Sequence, residues 1–499
     1  MDSELKEILK GIKGFRDFYP EDFAEINKIL NIMHDVSTKF GFEEYEGPSL
    51  EYAKLIEYKS GQDLYEEVYS LEDREQRRLV LRPEQTPTLA RLIANQHQRY
   101  PKPMRWYSIP RIFRDETPQR GRVKEHFQFN ADIIGVDHVG ADAEIIALTT
   151  QVIKRAGLKK DEFVCTINSR ELVQNYLNHL GVENVPDVIR AIDSREKHVQ
   201  SYIKQDLINK KIPKETAEEL SMIVRTVWMQ DPKLERFSSI LQKDSNIAPY
   251  VESLQEIAEN EIKKSFKKLG LTDLQSDQLY AFSNIRGSPE TFAKQMQNEI
   301  ELDEATQESL DKMNELAIHL KMFGVIDTCI YDASIARGLD YYTGIVFEFY
   351  DTTGSVVRAI AGGGRYDQLV ENFGGGKIPC TGIGLGETVL YSILKEQGKL
   401  EKYKHPAMVY VAPMAEDVIS IAAEIVSTLR ENFTTLFNPF GWNRKKQLQD
   451  AVIRNIPYIV IVGKRDLENK NVTLKNLETR EELIVPISDL TKELKKRIS

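Results

Sequence analysis

Apolar residues change their spacing several times along the 499 positions, and each change marks a predicted element. From Ala24 onward Ile26, Ile29, Leu30, Met33 and Phe40 follow the period of a helix, which Gly41 ends. The preceding GIKGFRDFYP carries turn formers, and Asp17, or Asp22 after Pro20, is a candidate cap. EEYEGPSLEY breaks the pattern, with Gly47-Pro48 forcing an extended turn. RRLVLRPE has the texture of a strand, and Thr86-Pro87-Thr88 opens a helix with proline near its first turn. Glu84 and Thr86 therefore stand where strand gives way to helix, a good place to hold a ligand. Helix capping by Thr86 is the plainer alternative. MRWYSIPRIF and HFQFNADIIG flank a Thr-Pro-Gln-Arg-Gly turn and predict a hairpin with a long loop. Ala141 to Gly157 predicts another amphipathic helix.

Between about Leu172 and Gly324 the chain is charge-rich and mostly helical in period, as in Val251, Leu254, Ile257, Ile262 and Phe266. Nothing there resembles a Gly-rich loop, so the region is expected to be an inserted helical domain. Past it come SIARGLDYYTG, the strand-like IVFEFY and VVRAIAGGGRYDQLV, a strand region that runs into a helix. CTGIGLGETVLYSIL joins a glycine-punctuated strand to one more helix. From His405 the elements alternate: strand MVYVAP, helix Asp417 to Asn432, TTLFNPF, helix RKKQLQDAVIRN and strand YIVIVG. That order predicts a compact α/β domain.

Composition alters this picture in few respects. With 41% hydrophobic and 29% charged residues the chain is of the globular class, and its length suggests about three domains. A net charge of −10 excludes a global basic field, so any RNA binding rests on local patches. The last hundred residues reverse the sign, with roughly three more Lys and Arg than Asp and Glu. Arg444, Lys445 and Lys446 open a helix there, as a solvated face or a nucleic-acid contact. Cys165, Cys329 and Cys380 lie far apart without a CxxC pair, and no HExxH is present. These features suit a reducing compartment and predict no structural metal. The first residues lack a hydrophobic signal region and no apolar run approaches a membrane span, so a cytoplasmic protein is expected.

The stretch RIFRDETPQRGRVKEHFQ (111–128) concentrates the candidate chemistry. Arg111, Arg114, Arg120 and Arg122 surround a turn, with acids at Asp115 and Glu116. Guanidiniums held on a sheet grip anions by forked hydrogen bonds, whereas most charged turns are simply solvated. Gln128 and Asp132 fall on one side of a strand that also carries large apolar residues. Glycines 362 to 364 allow a backbone to approach a ligand closely, but neither the dinucleotide fingerprint nor the P-loop is present.

Taken together, these strings resemble the histidyl-tRNA synthetases, class II aminoacyl-tRNA synthetases, over nearly the whole chain. GIKGFRDFYP is similar to that family's opening, EEYEGPSLEY to motif 1 with its proline near the dimer interface, and FRDETPQRGRVKEHFQ to motif 2. ARGLDYYTGIVFEFY and AGGGRYD match the two histidine-specific signatures, and the last domain is similar to the anticodon-binding domain. The resemblance implies an α+β catalytic domain on an antiparallel sheet in two parts (1–171 and 325–399). A helical insertion (172–324) leaning on the tRNA acceptor stem and a C-terminal α/β anticodon-binding domain (404–499) complete it. It further implies a homodimer that activates histidine with ATP, accompanied by Mg²⁺, and passes it to the 3′ end of its tRNA.

By the same carry-over Arg114 grips the α-phosphate, and Arg337 approaches from the opposite side, where it also contacts histidine. Glu116 and Arg122 contact ATP. Glu84, Thr86 and Gln128 hold the ammonium group, and Asp132, Tyr342 and Tyr366 read the imidazole. Tyr341 is expected to be core packing, since alternation turns one of the two adjacent tyrosines toward the site. The sequence departs from the family at motif 3, where Thr388 and Val389 occupy the places of the usual Glu-Arg pair. That departure leaves a second reading: a synthetase-like regulatory subunit that binds histidine and controls histidine biosynthesis without charging tRNA. Such subunits usually lack the terminal domain, so its presence favours the ligase.

Overall fold

The computed structural model describes residues 3–57, 67–117, 121–209, 211, 214, 217, 254–335, 341–356, 358–401, 403–441 and 443–498. Two compact units divide the chain, residues 1–400 and 401–499. Among the described residues no helix is long and apolar enough to cross a membrane.

The first unit is built on a ten-stranded sheet. Its central strands are β1 (Met104–Ser108), β2 (Glu125–Ile134), β3 (Phe163–Ser169), β4 (Ile345–Asp351), β5 (Ala359–Arg365) and β6 (Cys380–Gly386). In space they run β1-β2-β6-β5-β4-β3, every neighbour antiparallel. Both flanks are parallel: Glu43–Glu44 lies along β1, and Cys329–Asp332 lies along β3. The sheet is therefore mixed, antiparallel through its middle as expected and again where Arg286–Gly287 joins its edge. Parallel neighbours need long connections, and here helices and extended excursions supply them. Arg111–Phe113 continues the hairpin, pairing with the first part of β2.

Alternation along β2 divides its side chains between two faces. Phe129, Ala131 and Ile133 enter the main core, where Ile26, Ile29 and Met33 of helix α1 (Pro20–Lys39) join them. Gln128, Asn130 and Asp132 point the other way. Helix α1 begins at Pro20 behind Tyr19, with no side-chain cap, so neither Asp17 nor Asp22 caps it. Asp22 instead sits with Glu21 in the first turn, where negative charge suits the helix dipole. Gly41 ends the segment at φ +77°, a left-handed conformation that favours glycine. Helix α2 (Thr86–Gln96) starts behind Gln85, so Thr86 is its first residue and not its cap.

From Arg170 to Met322 the described residues are mostly helical, ending in the long helix Glu304–Met322. Ile262 and Phe266 of Leu254–Lys268 are buried in the main core; Val251 lies outside the described residues. The segment also contributes one short strand, Arg286–Gly287, to the sheet edge. Cys165 and Cys329, remote in sequence, are register partners on neighbouring strands; both are buried and free.

A buried ion pair anchors the end of β5 to helix α3 (Val139–Ala156). Arg365 donates to Asp142 at 2.6 Å and to the carbonyls of Val136 and His138, both at 2.9 Å. The arginine of GGGRYD is therefore a structural clamp that holds the next residue, Tyr366, in place.

The second unit has a five-stranded sheet ordered Thr435–Phe437, Val409–Pro413, Tyr458–Val462, Asn471–Asn476, Glu482–Pro486. The first three strands are parallel and the last two form an antiparallel hairpin. In that hairpin only Val485 of ELIVP is buried, so the apolar run Leu483–Val485 does not mark a core strand, while NVTLKN buries alternate residues.

Asp142→Ala is expected to cost about 3–5 kcal/mol, because it leaves the Arg365 guanidinium buried without its carboxylate. Urea unfolding checks this; a loss under 1 kcal/mol would mean that the backbone carbonyls alone hold Arg365.

Candidate active site

The polar face of β2 forms one wall of a cleft of about 480 Å³ in the first unit. Its floor is glycine: Gly362 from β5 and Gly382, Gly384 and Gly386 from β6. Gly382 is forced by space, since a Cβ there would lie 1.7 Å from Asp132 Oδ1. Gly363 and Gly364, thought to serve ligand approach, serve the sheet instead. A Cβ on either would meet a neighbouring backbone oxygen, at 2.1 Å from Gly382 and 2.6 Å from Ile345 respectively.

Residues scattered over the sequence converge here. Glu84 and Thr86, Arg114, Glu116 and Arg122, Gln128 and Asp132, and Tyr342 and Tyr366 all line the cleft. Arg337 and Arg120 lie outside the described residues. Arg111 points elsewhere: it pairs with Glu125 at 2.5 Å and its guanidinium lies 4.6 Å from the Phe127 ring centroid. Alternation explains this, because an odd spacing of three residues puts Arg111 and Arg114 on opposite faces of the hairpin arm, which the Arg114 N–H still ties to the Lys124 carbonyl at 2.9 Å.

At one end the groups are buried and acidic. Asp132 accepts a 2.5 Å hydrogen bond from the Tyr366 hydroxyl. Burial pushes its carboxyl up to about 7, against the lowering effect of that bond. Tyr341 donates to Glu84 at 3.2 Å, and its ring stands edge-on to Tyr366, 5.9 Å between centroids. Tyr341 is packed in a buried cluster with Tyr342 and Tyr366, as expected, but both of the adjacent tyrosines also line the cleft, where one was expected to. The pair precedes β4 and is not part of a regular strand, so strict alternation does not apply. Asn130, midway between Gln128 and Asp132, accepts from Gln128 Nε2 at 2.8 Å and fixes its amide. It belongs to the site by the same two-residue period that singled out its neighbours.

At the other end the groups are mainly cationic. Arg114 Nε donates to the Pro83 carbonyl at 2.9 Å, tying the hairpin to the segment that carries Glu84. Arg122 pairs with Glu116 at 2.7 Å. Burial raises the Glu116 pKa, and Arg122, Arg114 and Arg358 oppose that rise. His126, buried and close to Arg114 and Arg16, is driven down to about 4 and stays neutral at ordinary pH. Glu387 is buried and bonded to Arg16, and Thr388 donates to both its oxygens at 3.0 Å. The hydroxyl at motif 3 is thus turned onto its neighbour, and Val389 offers the cleft only an apolar surface.

A family model described as "Histidyl-tRNA synthetase" matches residues 14–260 and 238–388, and one described as "Anticodon binding domain" matches 408–497. The chain belongs to the histidyl-tRNA synthetase family. A curated relative, histidine–tRNA ligase of Pyrococcus horikoshii, is 31% identical over 98% of this chain and 99% of its own length. The corresponding ligase of Thermoplasma volcanium is 33% identical, with 98% and 99% covered. The crystal structure of histidyl-tRNA synthetase from Nostoc superposes with a TM-score of 0.73, covering 97% of this chain and 98% of that one. A Bacillus halodurans structure titled ATP phosphoribosyltransferase regulatory subunit/histidyl-tRNA synthetase gives 0.64, covering 88% and 95%. At 24% and 21% identity these two likenesses are of fold. Membership of this family implies three ligands: histidine, ATP and tRNA.

The shift of Asp132 gives a signed expectation. Folding raises its pKa from 3.8 to about 7, so between those values the folded chain holds a proton that the unfolded chain has lost. The cost of its burial is therefore absent below about pH 4, grows with pH, and is complete above about pH 7. Asp132→Asn is expected to be more stable than the wild type at about pH 8, the gap closing toward pH 4 with a limiting slope of about 1.4 kcal/mol per unit. Urea melts across that range check it; a gap independent of pH would refute the raised pKa.

Proposed function

We propose that the chain carries out its family's reaction, histidine–tRNA ligation, in the cleft of the first unit. The observation that carries this reading is the polarity of the cleft, with buried Asp132 and Glu84 at one end and Arg114 and Arg122 at the other. A histidine laid along it meets acceptors for its ammonium group at Glu84, Thr86 and Gln128. Asp132 accepts one ring N–H, while Tyr366 and Tyr342 close around the imidazole. Buried polar pairing of this kind rejects analogues lacking the group by about four to five orders of magnitude.

Adenylation follows when the histidine carboxylate attacks the α-phosphorus of ATP and pyrophosphate leaves. Negative charge gathers on the α-phosphate oxygens, and a cation already fixed there lowers the barrier without reorganising. Arg114 is fixed in that sense by its bond to Pro83. Arg337, outside the described residues, is assigned a second contact to the α-phosphate by family resemblance alone, Glu116 and Arg122 hold the nucleotide, and Mg²⁺ travels with its phosphates as part of the substrate. In the second step the terminal ribose hydroxyl of the tRNA attacks the adenylate carbonyl, and AMP leaves.

Residues 404–499, within the second unit, are assigned to the anticodon. The helical segment 172–324 is assigned to the acceptor stem, with 1–171 and 325–399 as the two parts of the catalytic domain. A homodimer is proposed through the motif 1 region, where Leu50, Tyr52 and Leu71 leave apolar surface exposed on a three-stranded sheet. Three buried free cysteines suit the cytoplasm. The matching C-terminal domain favours the ligase over a regulatory subunit that only binds histidine.

Histidine-dependent exchange of pyrophosphate into ATP tests the reading, and its absence from a folded, histidine-binding preparation would refute it. Arg114→Ala is expected to lower the exchange rate by about a hundredfold or more while histidine affinity changes little. Equal losses in both would give Arg114 a different role. Deleting 404–499 is expected to spare exchange and impair aminoacylation of tRNA; undiminished charging would overturn the anticodon assignment.

A further inference from the structure

The nucleotide end of the cleft lacks the cation that motif 3 usually supplies. Thr388 spends its hydroxyl on Glu387, and Val389 carries no charge. The sheet brings another cation to the same place. Strand β5 runs antiparallel to β6 with Ala361 opposite Leu385. That register brings the start of β5, which Arg358 immediately precedes, alongside the end of β6, from which the helix carrying Thr388 and Val389 departs. Arg358 lines the cleft together with Glu116, Arg122 and Val389. One point beside Gly121 measures how close they come: a Cβ there would lie 3.5 Å from Arg358 Cδ, 3.6 Å from Val356 Cγ1 and 3.6 Å from Val389 Cγ2. The stem of Arg358 and the side chain of Val389 therefore share one small region, bounded by the motif 2 loop.

We propose that Arg358 is the nucleotide-binding cation of this chain, delivering from the start of β5 the guanidinium that motif 3 delivers elsewhere in the family. A planar guanidinium suits both tasks, stacking on a purine face and donating N–H bonds to phosphate oxygens. Val389 and Val356 fit the same job, because they give an adenine ring apolar surface beside the cation. The field of Arg358 at Glu116 agrees with a position facing the interior of the cleft. The competing role for Arg358 is to neutralise Glu116 alongside Arg122, which would stabilise the hairpin without touching ATP. This inference rests on the cleft being the ATP site, and the two can fail separately.

The test compares full-length wild type, Arg358→Ala and Arg358→Lys. Pyrophosphate exchange gives KM for ATP and for histidine, calorimetry gives the affinity for ATP alone, and a thermal melt reports folding. For Arg358→Ala, KM for ATP is expected to rise at least tenfold, as for loss of a charge-assisted contact, with KM for histidine and the melting temperature nearly unchanged. Arg358→Lys keeps the charge without the planar fork and is expected to recover part of the loss. A KM for ATP within twofold of wild type in Arg358→Ala would overturn the proposal. So would a parallel rise in both KM values with a lowered melting temperature, the signature of the structural role. If wild type shows no exchange, the ligase reading fails while calorimetry still judges Arg358. Weaker ATP binding in Arg358→Ala would support it, and equal binding would overturn it.

Discussion

The site depends on how closely the backbone of β6 passes Asp132. Glycine at position 382 lets the strand run where any side chain would occupy the carboxylate's own position. Gly384 repeats the device two residues later, where a Cβ would come within 3.0 Å of Gln128 Nε2. The floor can therefore stay low enough for β2 to project three polar side chains over it without pushing the strands apart. Close approach also excludes water, which is why Asp132 resists ionisation and relies on Tyr366 for its one protein hydrogen bond in the described structure. A carboxylate held in that state spends stability on a latent acceptor, and a ligand N–H is the partner that returns it.

Two ion pairs, one fully buried and one with a half-buried arginine, hold the ends of this arrangement. Arg365 with Asp142 fixes the exit of β5, from which Tyr366 reaches Asp132. Arg16 with Glu387 fixes the passage from β6 into the following helix, Glu387–Glu396, just below Thr388 and Val389. Buried pairs contribute little net stability compared with well-packed apolar residues, but they are intolerant of geometry. Their placement on either side of the cleft suits a role in positioning, so that the cationic and acidic ends face each other at a set spacing. Burial of His126 in its neutral form adds to this, since a second charge beside Arg114 would compete for the same anion.

Much of this protein was determined by its sequence alone. Helical and strand periods placed the main elements, the Pro/Gly turn placed the hairpin, and the motif strings named the family and nine of the residues that line the cleft. Such features are local: period, turn chemistry and strand-to-helix junctions leave their mark within a few residues. Tertiary structure alone decided the rest. Strand pairing showed that Gly363 and Gly364 serve the sheet, that Arg365 is a clamp, and that the sheet turns parallel at both flanks. The contact of Tyr341 with Glu84 joins segments that a linear pattern does not relate. Arg358 is the clearest case. In the sequence it is one charge in a strand-like run, and only the approach of the start of β5 to the end of β6, beside the motif 2 loop, sets it near the uncharged motif 3 position. Register depends on interactions between strands distant along the chain, and spacing within either strand does not specify it.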